Sequence, residues 1–369
     1  MKRQRLIKLL KLLFAAGLTA FVIHKAGVDK IAAALSDIDL AGWVIGSGLV
    51  LTANCLAMVR WHLLMHSVGL NTTTGTALRL GFIGVFFNNL VPGLTGGDLV
   101  RAIYVARENP NQRASAAISV AVDRIIGIVA LAIIAAVVIP LNFDRYGEAA
   151  IGIYGFLAVA GLGAVIALSR RAKTVIGALI SRRGGDDSPD GKVIGTLRKC
   201  DQAVSMYRDR LGSVFVALIM SFAVHLLIIF ALYLFAHAIA SGGLAKLEEA
   251  PAAVTLGAEP AALEQQAEAL RNLQSVSLTA YCSIVPIIMI GSAVPVAPAG
   301  WGVGEVLFAH FFKTVNVQES LAVALSFTYR ITVLLVSLIG GVMLILDRRR
   351  VLEATSDQEG DSGAGSAAP

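Results

Sequence analysis

The sequence predicts an all-α polytopic membrane protein with about six full spans plus two re-entrant hairpins in an inverted repeat. Three observations predict it. Of 369 residues, 56% are hydrophobic and 15% charged, and mean hydropathy is +0.73, against about 25% charged residues in a soluble domain. Apolar runs of roughly 20 residues, the length that crosses a bilayer, recur along the chain. Two shorter apolar runs end in proline and glycine instead of a charged flank, and each is followed by an acid.

The first span is placed at residues 9–25. Its basic start and the GLTA stretch imitate a signal peptide, but the apolar run continues to Ile23 and further spans follow, so an uncleaved helix is expected. Further spans are placed at 41–66, 114–140, 149–169, 211–240 and 320–346. The short runs 77–91 and 277–294 read as descending halves of hairpins, with ascending halves at 99–108 and 303–313. Pro92 and Pro298 each remove a backbone donor. Gly93, Gly96 and Gly97, and later Gly300, Gly302 and Gly304, allow a tight reversal. Broken backbone is costly in lipid and is tolerated where protein buries it or it lines a wet cavity.

Charge sets orientation. Lys2, Arg3, Arg5, Lys8 and Lys11 put the start in the cytoplasm. Arg79, Arg101, Arg107 and Arg113 flank the first hairpin on both sides, so it enters from and returns to that side. Residues 170–210 hold ten Lys or Arg against five Asp and read as a cytoplasmic loop. Residues 241–272, with Glu248, Glu249, Glu259, Glu264 and Glu268, read as an outer insertion carrying one or two surface helices, and the second hairpin enters from that face. Arg348, Arg349 and Arg350 close the last span in the cytoplasm. The membrane body therefore covers 1–350, in halves of about 1–169 and 211–346. A polar, small-residue tail at 351–369 is expected to be disordered and cytoplasmic. Both termini lie inside, in a bacterial inner membrane. GGDLV at 96–100 and VGEVL at 303–307 are alike, and inverted repeats with broken helices meeting near the midplane are a transporter architecture.

The net charge of +6 does not point to nucleic acid, because Lys and Arg cluster between apolar runs. Cys55, Cys200 and Cys282 have no pairing or metal spacing, and the six histidines are scattered, so no metal and no cofactor is expected. No nucleophile with a base and no nucleotide loop is present, so no catalytic residue is assigned. The informative residues are charges inside apolar segments: Arg60, Asp98, Arg101, Asp123, Arg124, Glu305 and Arg330. Each costs about 2.5–3.5 kcal/mol at the bilayer centre, so most must pair or face water. Three acids against four arginines leave one positive charge over. Surplus arginine suits a phosphate, whose oxygens the planar fork binds in pairs. Structural readings stand beside this one. Asp98 and Glu305 could cap the helices they precede, Asp123 with Arg124 could form a structural ion pair, and Arg60 before Trp61 could snorkel to the interface.

These residues carry a resemblance. RW at 60–61, N…PGLTGGDLVR from Asn88, DR at 123–124, PAGWGVGE at 298–305 and YR at Tyr329–Arg330 lie in one order along nearly the whole chain. In this the chain resembles the transmembrane region of lysylphosphatidylglycerol synthases, a flippase-like integral membrane family. The resemblance implies a lipid translocator that moves a phosphate-bearing lipid between leaflets. Arg60, Arg101, Arg124 and Arg330 would meet the headgroup, and Asn88, Asp98, Asp123, Glu305 and Tyr329 would shape the polar cavity with the hairpin prolines and glycines. Two-part members of the family carry a soluble aminoacyl-transferase domain. This chain stops shortly after its last span, so aminoacylation is not expected. PAGWG replaces a plain Pro-Gly-Gly at the second turn, placing Ala299 and the bulky Trp301 there. The expected partners are the membrane and an anionic phosphate lipid, with a homodimer or a lipid-synthesis enzyme as possible assemblies. A carrier of a small water-soluble anion, or the membrane component of a lipid-modifying enzyme system, are the competing functions.

Overall fold

The computed structural model describes residues 20–21, 24, 28–90, 96–168, 206–249, 260–293 and 302–364, and among these it contains helices and turns and no strand. Most of the expected first span, most of the 170–210 loop and both expected hairpin tips lie outside the described residues, and with them Pro92, Gly93, Pro298 and Gly300. The described helices are α1 (Val28–Ser36), α2 (Leu40–Ser67), α3 (Thr74–Leu90), α4 (Gly96–Glu108), α5 (Arg113–Val138), α6 (Phe143–Leu168), α7 (Leu211–Glu248), α8 (Pro260–Ser275), α9 (Leu278–Ala293), α10 (Val303–Lys313) and α11 (Glu319–Ala364).

Four stretches among the described residues are long and apolar enough to cross a membrane: Leu40–Ser67, Pro110–Leu141, Leu211–Glu248 and Glu319–Leu346. They match four of the six expected spans. Helix α6 occupies the place of a fifth, but its apolar part is the shorter Ala150–Gly163. The pair α8–α9 is apolar enough to form one further, broken span, bent by 85°. The chain is thus a multi-pass, all-helical membrane protein. Helix α11 continues to Ala364, into the polar stretch that composition assigns to a disordered tail. Extending a helix that already exists avoids the nucleation cost that an isolated polar segment would meet.

Local chemistry sets the helix ends. Asp39 caps α2, accepting from the backbone N–H of Ala41 (3.2 Å) and Gly42 (3.0 Å). At the other end of α2 the chain reverses at Gly69, whose φ of 78° places it in the left-handed region that glycine enters without penalty.

The most extensive helix pair is α2 with α7, where the absent side chain of Gly46 admits the ring of Phe235. Around this pair, α3 packs on α4 and α9 packs on α10. The second arm of each helix pair rests on the long helix that follows it, α4 on α5 and α10 on α11. The first arm of each reaches across to the long helix belonging to the other pair, α3 to α11 and α9 to α5. The larger buried core follows α2, α7, α9 and α11, and a smaller one surrounds Trp61, Leu64, Met65 and Leu80.

Candidate functional site

The helix pair α3–α4 delivers its acid by means of a close backbone contact. A Cβ on Gly97 would lie 1.9 Å from the carbonyl oxygen of Gly84, so only glycine lets α4 begin this close to α3. Asn88 secures the contact, its Oδ1 accepting from the N–H of Gly97 at 2.9 Å. The acid follows at once, and Asp98 stands in the first turn of α4.

Around Asp98 the fold gathers Arg60 from α2, Arg101 from α4, and Asp123 and Arg124 from α5. Arg60 Nε donates to Asp123 Oδ1 at 2.9 Å and its Nη1 donates to Ser221 Oγ at 2.7 Å. Arg124 Nε lies 2.6 Å from Asp98 Oδ2 as an ion pair. Arg101 sits between the two carboxylates, 3.6 Å from Asp98 Oδ1 and 3.6 Å from Asp123 Oδ2. Those are ion-pair distances, too long for hydrogen bonds, and the buried Nε of Arg101 has no hydrogen-bond partner. The guanidinium lies 3.9 Å over the ring of Trp61, which holds it by cation–π attraction. Trp61 is fixed in turn by its Nε1, which donates to Ser119 Oγ at 3.3 Å.

Two structural readings of the sequence are corrected here. Asp123 and Arg124 do not pair with each other, because neighbouring residues on a helix diverge by about 100°. Each finds a partner on another helix instead. Arg60 does not snorkel: it is buried and spent on Asp123 and Ser221.

The helix pair α9–α10 repeats the delivery with another result. Gly302, at φ 80°, starts α10, and Glu305 Oε2 accepts from the Gly302 N–H at 2.6 Å, so Glu305 does cap its helix. The same carboxylate pairs with Arg330 of α11, and Arg330 Nη2 donates to Oε2 at 3.3 Å. Gly304 makes room for the guanidinium, since a Cβ there would lie 2.6 Å from Arg330 Nη2. Glu305 is 0% exposed and the Arg330 side chain 15%, whereas Arg124 in the first centre is 46% exposed.

Each centre borders a cavity. The first, about 400 Å³, is lined by Arg60, Asp98, Arg101, Asp123 and Arg124 together with Asn54, Asn88 and His225. The second, about 290 Å³, is lined by Asn89, Ser292, Gly304, Ser326, Tyr329 and Arg330. Met289 and Ala293 of α9 line both, so α9 is the wall between them. The charges read from the sequence therefore fall into two groups, with Arg330 and Glu305 apart from the other five.

Ser221 and His225 are the residues that sequence reading passed over. His225 Nε2–H donates to the Gly127 carbonyl at 2.9 Å, and Ser221 Oγ donates to the Ala217 carbonyl at 2.8 Å while accepting from Arg60. Their signal was a polar pair four apart, on one face of an otherwise apolar span. Among the described residues no group of three or more His, Cys, Asp or Glu is placed to hold a metal ion.

Long apolar helices enclosing a buried cluster of paired charges define a polytopic integral membrane protein with a polar interior site. The chain belongs to the lysylphosphatidylglycerol synthase TM region family, which it matches over residues 8–242. That stretch contains the whole first centre except its wall on α9. The chain is also 21% identical over 372 residues to the UPF0104 membrane protein PH1989 of Pyrococcus horikoshii, covering 95% of this chain and 99% of that protein. No solved structure matches the chain.

Proposed function

We propose that the protein is an inner-membrane lipid flippase or transporter that moves a phosphate-bearing lipid between leaflets. The observation that carries this reading is Arg101. A guanidinium inside the bundle is held by Trp61 and two carboxylates at ion-pair distance, beside a cavity of about 400 Å³, with donors left for a ligand. A cavity of a few hundred cubic ångströms with a few convergent polar groups has the dimensions of a small-molecule site, and a planar fork matches phosphate oxygens. Family membership agrees with a lipid-related role.

The two helix pairs, on this proposal, are re-entrant hairpins of an inverted repeat. One half comprises α2 to α5 and the other α7 and α9 to α11. The helix pairings support it, because each contact within or between the halves has its counterpart on exchanging them. Residue positions support it further. Asp98 and Glu305 are each the third residue of the hairpin's second helix, after Gly97 and Gly304. Their partners Arg124 and Arg330 are each the twelfth residue of the next long helix. The protein acts as a transporter and not as an enzyme, with both termini cytoplasmic.

A leaflet-resolved assay in sealed liposomes tests the function. Labelled phospholipid should reach the far leaflet with wild-type protein and slow by at least about tenfold with Arg101→Gln, since one charge-assisted contact is worth 1.5–3 kcal/mol. Unchanged movement in that variant removes the proposed site. Uptake of inorganic phosphate without lipid movement would replace the lipid by a small soluble anion.

A further inference from the structure

We infer that the first cavity selects a phosphodiester headgroup of net charge −1, and that Arg124 carries the selection. The inference rests on the proposed lipid function and names the charge class of its substrate. Its basis is a charge count that the fold, and not the sequence, makes possible. Arg60, Arg101 and Arg124 face Asp98 and Asp123, and among the described residues no other Lys, Arg, Asp or Glu lines that cavity. The stretches at the two hairpin tips, 91–95 and 294–301, contain no ionisable side chain, so they add nothing to the count. With histidine neutral, the first cavity carries +1. In the second, Arg330 is cancelled by Glu305, and among the described residues no further charge lines the wall. Among the described residues, the surplus of the two centres therefore sits at one of them.

An unbalanced charge inside a bilayer is disfavoured, so occupancy that brings the centre to zero is preferred. A phosphodiester with an uncharged substituent does so. A phosphomonoester in its dianionic form overshoots, and a zwitterionic headgroup leaves the surplus unanswered.

The geometry assigns the exchange to one residue. The Arg60 and Asp123 side chains are 7% and 8% exposed and locked to each other, whereas Arg124 is 46% exposed and, among the described residues, ion-paired with Asp98 alone. Asp98 has a second cation, Arg101, at 3.6 Å, so it is not left bare when Arg124 turns to a ligand. A phosphodiester has two non-bridging oxygens, which one guanidinium fork engages together.

The test uses the full chain in micelles doped with equal amounts of phosphatidylmethanol, phosphatidic acid and phosphatidylcholine of matched acyl chains, with bound lipid read by native mass spectrometry. Buffer alkaline enough to make phosphatidic acid dianionic separates the three by headgroup charge. Wild-type protein should retain phosphatidylmethanol over the other two by on the order of tenfold. Arg124→Gln should erase the advantage over phosphatidylcholine, Arg124→Lys should restore it, and Asp98→Asn should move the preference toward phosphatidic acid. Equal retention of the three lipids by wild type, or an unaltered preference in Arg124→Gln, overturns the charge rule and leaves the lipid reading standing. Retention of none of them overturns the lipid reading itself. Dimethyl phosphate as competitor separates the sources: displacement of phosphatidylmethanol at equal concentration assigns the centre to a soluble diester and overturns its assignment to a lipid.

Discussion

The Asp98 centre and the Glu305 centre are built alike and end differently. In both, a glycine lets the second helix of the pair start against a neighbour, an acid follows directly, and an arginine from the next long helix answers it. Glu305 is then closed off: its carboxylate caps α10 and holds Arg330, and water reaches none of it. Asp98 is instead joined by Arg60, Arg101 and Asp123, which multiplies the charges and leaves Arg124 half in the open. A wholly buried carboxylate held in an ion pair and a helix cap is a fixed joint. A cluster with one cation over and one cation exposed is what the proposed ligand site requires. The difference comes from α2, α4 and α5, which supply Arg60, Arg101 and Asp123 to the first centre, whereas Glu305 and Arg330 form a single pair in the second.

This contrast can be broken most forcefully by neutralising the two acids in turn. Glu305→Ala removes a partner of Arg330 from a site where the carboxylate is wholly buried, and should cost about 3–5 kcal/mol of stability. Asp98→Ala should cost no more than about 1–2 kcal/mol, because Arg124 can turn to water and Arg101 keeps Asp123. Thermal unfolding in detergent, followed by size-exclusion of the heated samples, compares them. Equal losses would mean that the two centres do not differ as described.

The glycines sharpen the comparison at smaller scale. In Gly97→Ala the new methyl meets the backbone oxygen of Gly84, which cannot yield without parting α3 from α4, and a loss of about 1–3 kcal/mol is expected. In Gly304→Ala the methyl meets the end of the Arg330 side chain, which can shift, so the loss should be less than about 1 kcal/mol. Midpoints of denaturation for the pair, measured side by side, rank them.

The smallest effect lies away from both centres, where α1 turns into α2. Burial works to raise the carboxyl pKa of Asp37, but hydrogen bonds from Lys246 and Ser36 outweigh it and hold the group below the usual carboxylate value. A depressed carboxylate pKa adds stability that is fully present above the unfolded value and is lost as pH falls through the folded one. The Lys246 side chain is 63% exposed, so solvent screening limits the gain to a few tenths of a kcal/mol. Asp37→Asn should flatten the acid limb of the stability profile below about pH 4 and leave neutral stability nearly unchanged. A melting series in that range against wild type reads it directly.

Four of the apolar spans and the placing of an acid after a glycine were legible in the amino-acid order, because length and hydropathy act locally. The seven intramembrane charges could be named from the sequence for the same reason: lipid penalises each one wherever its partner is. Who pairs with whom could not be read. Asp123 reaches back 63 positions to Arg60 and ignores its neighbour Arg124, because a side chain's direction depends on helix phase and its partner on how helices pack. Ser221 and His225 join the first centre only because α7 lies along α2 and α5. The sequence by itself determined how much charge the membrane body must hold and the one positive charge left over. The tertiary structure decided that this surplus gathers at one centre while the other is neutral, since only packing brings charges from distant helices within range of each other.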